Sequence, residues 1–495
     1  MRSAARNRPI QILLLAVALV GLTLPGASPV RAQDEPPLPP GLSPTTPAPS
    51  SEPALPPGLV NDAPSEEPAL PPGLTQATTP ARAEDDTRKN FRERLPFDLS
   101  GFWEARGGFR TRNDTHEKDA SIGETRLQLK VEKSWDRIVF KTTGDFLYDP
   151  IFNDPDVDLE EGEGFFDLRE ANLLLRPASF LDVKIGRQVL TWGTGDLLFI
   201  NDLFPKDWNS FFIGRDQEYL KAPSDAVKAS LFTNLANLDV VYMPRFDSDR
   251  FIDGRRISYY NAAMGRRVGR NAKVKADRPD DWFDDNEIAV RLYRNLGTFE
   301  AALYAYKGFW KSPGGSDPVS GKAIFPELSV YGASLRGPIG KGIGNIEVGY
   351  YDSEDDRDGD DAFVRNGELR FLAGYEQEIG TNFTAGVQYY LEHLLDSGDY
   401  QDSLPPGMPG KDENRHVFTL RLTKLLMNQN LIFSLFAYYC PTDEDAYFRP
   451  HVSYKVDDYW TVEAGGNLFV GDDDHTFFGQ FENNSNLYVG VRYGF

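Results

Sequence analysis

Cysteine, methionine and histidine are scarce in this chain of 495 residues, which has one Cys, five Met and five His. A single thiol, Cys440, excludes an intramolecular disulfide framework and a cysteine-based zinc centre. No G-x-S-x-G or H-E-x-x-H motif occurs, and none of His116, His393, His416, His451 and His475 lies in a recognisable nucleophile context. The sequence therefore does not read as an enzyme, and it implies no metal and no cofactor. Positive charge is also in deficit, because 53 Lys and Arg against 75 Asp and Glu leave a net charge of −22. A nucleic-acid partner is not expected, since its electrostatic footprint is basic. Apolar runs of about 20 residues, several of which a helical membrane protein requires, are missing as well.

The one long apolar run is N-terminal. Arg2, Arg6 and Arg8 precede Ile10 to Leu24, and Val30-Arg31-Ala32 offers small residues at a cleavage site. Residues 1–32 read as a Sec signal peptide, whose apolar core of about 15 residues is too short to span a bilayer comfortably. Residues 33–96 repeat a P-P-G-L unit that ends at Leu42, Leu59 and Leu74. Proline fixes φ and removes donors, so this stretch is expected to be a disordered, extended linker on the periplasmic side. A periplasmic partner that binds the repeats is the alternative use.

From residue 97 to 495 the texture changes to segments of about 10–14 residues that alternate apolar and polar positions. In the last segment Leu487, Val489, Val491, Tyr493 and Phe495 fall on one face, opposite Asn486, Tyr488, Gly490, Arg492 and Gly494. Period 2 with Arg on the second face marks a strand between an apolar and a wet environment. Short connections at 135–136, 177–179, 234–237, 295–297, 378–382, 427–430 and 456–458 alternate with long ones at 149–163, 193–222, 246–283, 312–323, 352–363, 395–412 and 470–484. Tight turns at one end and long loops at the other suit an outer-membrane barrel, and hydrocarbon forces such a sheet to close. The fold expected is an all-β, transmembrane, antiparallel up-and-down barrel of about 18 strands, within 16–18. Trp103, Trp135, Tyr148 and Trp460 lie near segment ends, where an aromatic girdle would sit.

Parity assigns Arg106, Arg110, Arg126, Lys130, Lys184, Arg291, Arg370, Arg421, Arg449 and Arg492 to the interior, together with acidic residues such as Glu104, Asp145, Glu287, Glu368 and Glu463. Both signs suit a water-filled pore crossed by ion pairs. Among the loops, 154–163 and 352–361 are acidic. Asp356-Arg357-Asp358-Gly359 resembles the start of a calcium loop but lacks the later bidentate Glu, so a solvated acidic surface is expected. Loop 246–283 is basic and contains Arg255, Arg256, Arg266, Arg267 and Arg270. It could bind lipopolysaccharide phosphates, the role ranked first, or fold inward and attract an anionic solute or polymer.

The most distinctive segment, 169–212, contains Glu170, Gly186-Arg187-Gln188, Trp192-Gly193, Asn201, Pro205 and Asp207. On these residues the chain resembles a family of uncharacterised porin-like barrels of the bacterial outer membrane and, more distantly, the alginate-export barrels. The resemblance covers about 45 residues and implies passive or substrate-selective transport. Strict alternation sends Arg187 to the lipid face with Ile185 and Val189. A charge near the midplane costs about 2–4 kcal/mol, so a bulge at Gly186 or a position near the interface is expected. With a bulge, Arg187 would enter the lumen and pair with Glu170. The group Glu170, Arg187, Gln188, Trp192, Asn201, Pro205 and Asp207 is then expected to pin an inward-folded constriction loop. The function expected is diffusion of small hydrophilic or charged solutes through an outer-membrane pore. The alternatives are export of an anionic polysaccharide and a structural barrel with a plugged lumen. The partners expected are lipids, lipopolysaccharide and the solute.

Overall fold

A computed structural model describes residues 95–152 and 156–495. The signal peptide expected at 1–32 and almost all of the proline-rich linker lie outside the described residues.

Alternating sequence becomes strand throughout. The first group is β1 (Asp98–Arg110), β2 (Ala120–Ser134), β3 (Ile138–Tyr148), β4 (Phe166–Ala178), β5 (Leu181–Val189), β6 (Pro223–Leu231) and β7 (Asn237–Met243). A small hairpin, β8 (Tyr259–Asn261) and β9 (Arg266–Val268), interrupts the series before β10 (Glu287–Leu296) and β11 (Phe299–Phe309). A second, β12 (Gly315–Ser316) and β13 (Ala323–Ile324), precedes β14 (Glu327–Ile339), β15 (Gly342–Ser353), β16 (Glu368–Gly380) and β17 (Phe383–Leu394). The last are β18 (Asn414–Leu426), β19 (Leu431–Cys440), β20 (Asp445–Lys455), β21 (Trp460–Gly471) and β22 (Asn486–Gly494). Apart from the two hairpins, these strands form one 18-stranded antiparallel sheet. It closes where β1 pairs with β22, with Trp103 opposite Tyr493 and Glu104 opposite Arg492. Closure leaves no free edge, as an apolar surround demands.

The outward face is apolar. Leu173, Ile185, Val227, Leu303, Ile346 and Val489 are among its exposed side chains. Trp135, Phe180, Tyr459 and Trp460 ring the end with tight turns, and Phe109, Tyr148, Phe165 and Trp282 ring the other. The turn 340–341 and the connections 111–119 and 441–444 escaped the sequence reading. The last of these is as short as a turn, although it lies at the loop end.

Alternation continues unbroken through Gly186, so no bulge forms there. Arg187 stands opposite Ala171 and Asp225, beside Ile185 opposite Leu173 and Val227. Gly186 instead adopts φ +114°, where an added Cβ would collide with the Ala171 carbonyl. Arg187 therefore keeps the outward parity, close to the loop end of β5. Its Nη1 reaches Asp225 at 3.2 Å and its Nε donates to the Leu168 carbonyl at 2.7 Å. The Leu159 carbonyl accepts from Nη2. The pairing with Glu170 does not occur. A rim guanidinium is satisfied more cheaply by the strand next door and by the loop that folds over it than by crossing the wall.

Candidate functional site: a strap across the barrel

A barrel of 16–18 strands ordinarily encloses an aqueous channel. Here the connection from β5 to β6, residues 190–222, folds into it as a strap. Its sequence is rich in large apolar groups, and Ile200, Phe204, Phe211, Phe212 and Ile213 are almost fully buried. They pack against inward-facing residues of the wall, among them Tyr351, Leu372, Tyr438, Tyr447 and Phe469. Phe212 meets Phe469 and Phe481 with ring centroids 5.0 Å apart in both cases. The interior expected to be water-filled is, at the strap, a packed apolar core.

Polar contacts fix the strap down to mid-height of the wall. Glu347 of β15 is 1% exposed and accepts hydrogen bonds from the Thr194 and Gly195 amides and from Asn201 Nδ2, the last at 3.0 Å. Asp196 pairs with Arg421 of β18, with Nη2 at 2.8 Å from Oδ1. Tyr438 donates to the Leu197 carbonyl at 2.6 Å, and Asn486 Nδ2 to that of Phe212 at 3.0 Å. Arg215, beyond the helix Trp208–Ile213, reaches Glu124 with Nε at 3.0 Å. Asp207 caps that helix by accepting from the Ser210 amide at 2.7 Å.

Space for the strap is written into glycines on the interior parity. Gly332 and Gly349 face each other across β14 and β15. An added Cβ at Gly332 would strike Asn201 Oδ1, and at Gly349 it would lie 2.6 Å from Ile200 Cγ2. A Gly332→Val variant is expected to lift residues 194–201 off the wall and raise single-channel conductance several-fold. Unchanged conductance would show that this contact does not hold the strap.

The motif residues are dispersed around the strap. Asn201 and Asp207 bind as above, and the Pro205 carbonyl accepts from the Ala222 amide at 3.1 Å. Trp192 packs edge-on against Phe204 at 5.0 Å. Gln188, fully buried, donates to the Gly186 and Ala226 carbonyls at 3.1 and 3.0 Å. Glu170 sits apart between Lys141 and Lys184, 3.9 Å from the latter. The residues that fasten the strap, Glu347, Asp196, Glu124 and Arg250, whose Nη1 reaches Asp207 at 3.4 Å, are not in the group read from sequence. The Gly332–Gly349 pair beside a lone inward Glu347 was the available signal.

Arg106, Arg110, Arg126, Lys130, Lys184, Arg291, Arg370, Arg421, Arg449 and Arg492 all lie on the interior parity. Most are engaged with carboxylates. Arg126 lies between Glu124 and Asp145 and stacks 3.9 Å from the Tyr219 ring centroid. Arg492 reaches Glu104 at 2.8 Å, Arg370 reaches Glu368 at 2.6 Å, and Arg291 reaches Glu300 at 2.6 Å.

No known family profile matches the chain, and no curated protein sequence matches it. Among solved structures it is similar to OccK5 (OpdH) of Pseudomonas aeruginosa at 11% identity and a TM-score of 0.45, covering 80% of this chain and 98% of that one. Pseudomonas putida OprB is 10% identical with a TM-score of 0.40, covering 81% and 94%. Salmonella typhi OmpF is 9% identical with a TM-score of 0.39, covering 81% and 97%.

The basic loop and the acidic loops answer each other. Arg255 pairs with Asp253, Glu161 and Glu163, Arg256 with Asp149, and Arg270 with Glu117 at 3.0 Å. Arg267 reaches Asp474 at 2.8 Å, whereas Arg266 is exposed. The acidic stretch is thus not a solvated surface at Glu161 and Glu163. Nor is Asp356, whose carboxylate turns back to accept from the Asp360 and Asp361 amides, both at 3.1 Å.

Burial sets the titration of these loops. It pushes Glu117 up to about 7 against the pull of Arg270 and Arg110, with Asp114 adding to the rise. It pushes Glu163 up to about 7 as well, opposed by Arg255 and aided by Glu161, Asp253 and Asp158. A carboxyl raised on folding adds stability that is fully present below its ordinary range near 4.5 and is lost as pH rises through about 7. Hydrogen exchange in 111–119 and 156–165, corrected for intrinsic rates, should therefore show slower opening at pH 5 than at pH 8. Faster opening at pH 5 would contradict it.

Proposed function

We propose that this chain is a porin-like channel of the bacterial outer membrane, through which small hydrophilic or charged solutes pass passively past a strap that narrows the bore. The observation that carries the reading is the combination of a closed 18-stranded wall, apolar outside and doubly charged inside, with one long connection folded into it. Space remains on both sides of the strap. A cavity of about 350 Å³ lies towards the loops, and one of about 220 Å³ lies on the turn side against Arg106, Arg215, Arg421 and Arg449. Lipid surrounds the apolar belt, and the exposed Arg266, Lys273 and Lys275 of the basic loop are left for lipopolysaccharide phosphate.

Export of an anionic polysaccharide would need a continuous free basic track. The arginines of 244–286 are instead mostly held by carboxylates, which favours small solutes. The apolar core across the lumen favours, as a second reading, a barrel plugged at rest. Liposome swelling with solutes of graded size tests the proposal. Uptake that falls steeply between a small amino acid and a trisaccharide supports it, and no uptake of any solute refutes it.

A further inference from the structure

The cavity on the loop side of the strap, about 350 Å³, is at the small end of the range for ligand sites. Its walls carry two kinds of group. Phe199, Trp208 and Phe477 give it accessible aromatic surface, beside the nearly buried Trp310, Tyr390 and Phe478. Lys206, Lys311, Arg365, Arg370 and Arg415 line it against three carboxylates, those of Asp202, Asp249 and Glu392.

The excess of cations at the surface arises from the placing of their partners. Arg365 and Arg370 are held by Glu368 at 2.7 and 2.6 Å, Lys311 by Glu287 at 2.6 Å, and Arg415 by Asp443 at 2.6 Å. Glu368, Glu287 and Asp443 all stand outside the cavity lining. Two guanidiniums are also fixed flat on rings, Arg365 at 4.2 Å from the Trp310 centroid and Arg370 at 3.9 Å from that of Tyr351. They are rigid and preorganised, at little entropic cost to an arriving ligand.

Arg415 is the incomplete member. Its Nε is spent on Asp443 and its Nη2 is buried without a partner, which leaves Nη1, without a hydrogen bond among the described residues, as the edge towards the cavity that Arg415 lines. An unmatched donor edge at a cavity surface calls for an acceptor, and a carboxylate is the group that best answers a guanidinium. A solute with a charge and no ring would leave the aromatic walls uncovered. A ring without a charge would leave Nη1 unanswered.

We propose that this cavity binds a small organic anion made of a flat aromatic ring and one carboxylate. The ring lies against Trp208 and Phe477, the latter 5.3 Å from the Arg415 guanidinium, and the carboxylate meets Arg415. This rests on the channel reading, because the solute must reach the strap through the barrel mouth.

Benzoate is the probe, titrated calorimetrically into the full chain in detergent, with acetate and benzyl alcohol as the two half-ligands. Benzoate should bind at least about ten-fold tighter than either, the discrimination a charge-assisted pair supplies. Arg415→Gln should weaken benzoate about ten-fold while leaving benzyl alcohol unchanged, and Arg415→Lys should fall between. If Arg415→Gln fails to give a folded barrel on a gel, Phe477→Leu, at an exposed ring, carries the test by weakening benzoate and sparing acetate. No benzoate binding, equal binding of acetate, or indifference to both substitutions overturns the proposal. Conductance in potassium chloride separates the two layers. A conducting barrel that ignores benzoate sinks the site alone, and a silent barrel that binds benzoate sinks the channel reading alone.

Discussion

Excising residues 192–221 and joining Leu190 and Thr191 to Ala222 through a short glycine-rich turn is expected to raise single-channel conductance on the order of ten-fold or more, since an empty barrel of this strand number holds a continuous column of water. The geometry permits the cut, because Val189 and Pro223 already face each other across β5 and β6. The cost falls on packing. Tyr351, Tyr438, Tyr447 and Phe469 lose their apolar cover, so the shortened barrel should melt lower. Glu347 and Glu124 lose partners but gain water, which spares them the penalty of a buried lone charge. The wall itself, closed by β1 and β22, should persist as a heat-modifiable band on a gel. Conductance unchanged by the excision would mean that the barrier lies in the other loops.

Arg250→Ala should be the most destabilising single substitution in the loops. The Arg250 side chain is 2% exposed and grips Asp167 with both Nη atoms, at 2.9 and 2.8 Å. It also touches Asp207 at 3.4 Å and donates to the Glu160 and Leu159 carbonyls, both at 3.2 Å. One guanidinium thereby ties the strap, the loop 149–165 and the loop 244–286 to β4. Truncation leaves Asp167 buried and uncompensated, at a cost of about 3–5 kcal/mol. Arg250→Lys keeps the charge but cannot fork, so it should recover only part of the loss. Urea unfolding in detergent reads the difference, and an alanine variant within about 1 kcal/mol of the parent would contradict this role.

The wall was legible in the sequence because a two-residue period is local. The last strand alone, from Asn486 to Gly494, announces an apolar and a wet face, and parity set the inward residues of every strand it was applied to. Gly340-Lys341 was passed over because Ile339 and Ile343 continue the apolar pattern across it. The bulge at Gly186 failed for a different reason. Parity put Arg187 on the outward face, where it stands, and of the two alternatives the position near the interface is the one found; what satisfies it there, Asp225 and a carbonyl from residue 159, the local pattern does not contain. The loops obey no period at all. Acidic 154–163 and basic 246–283 read as two surfaces, although their opposite charge was a signal that they cover each other. Glu347 was hidden for the same reason: its partners lie about 150 residues away in sequence.

The most direct measurement is the single-channel conductance of the intact chain in a planar bilayer under a salt gradient. A steady conductance well below that of an unobstructed 18-stranded bore is expected, with slight ion preference, because interior charges of both signs are paired along the wall and with the strap. A large conductance, on the scale of an empty barrel of that strand number, would contradict a strap packed across the interior.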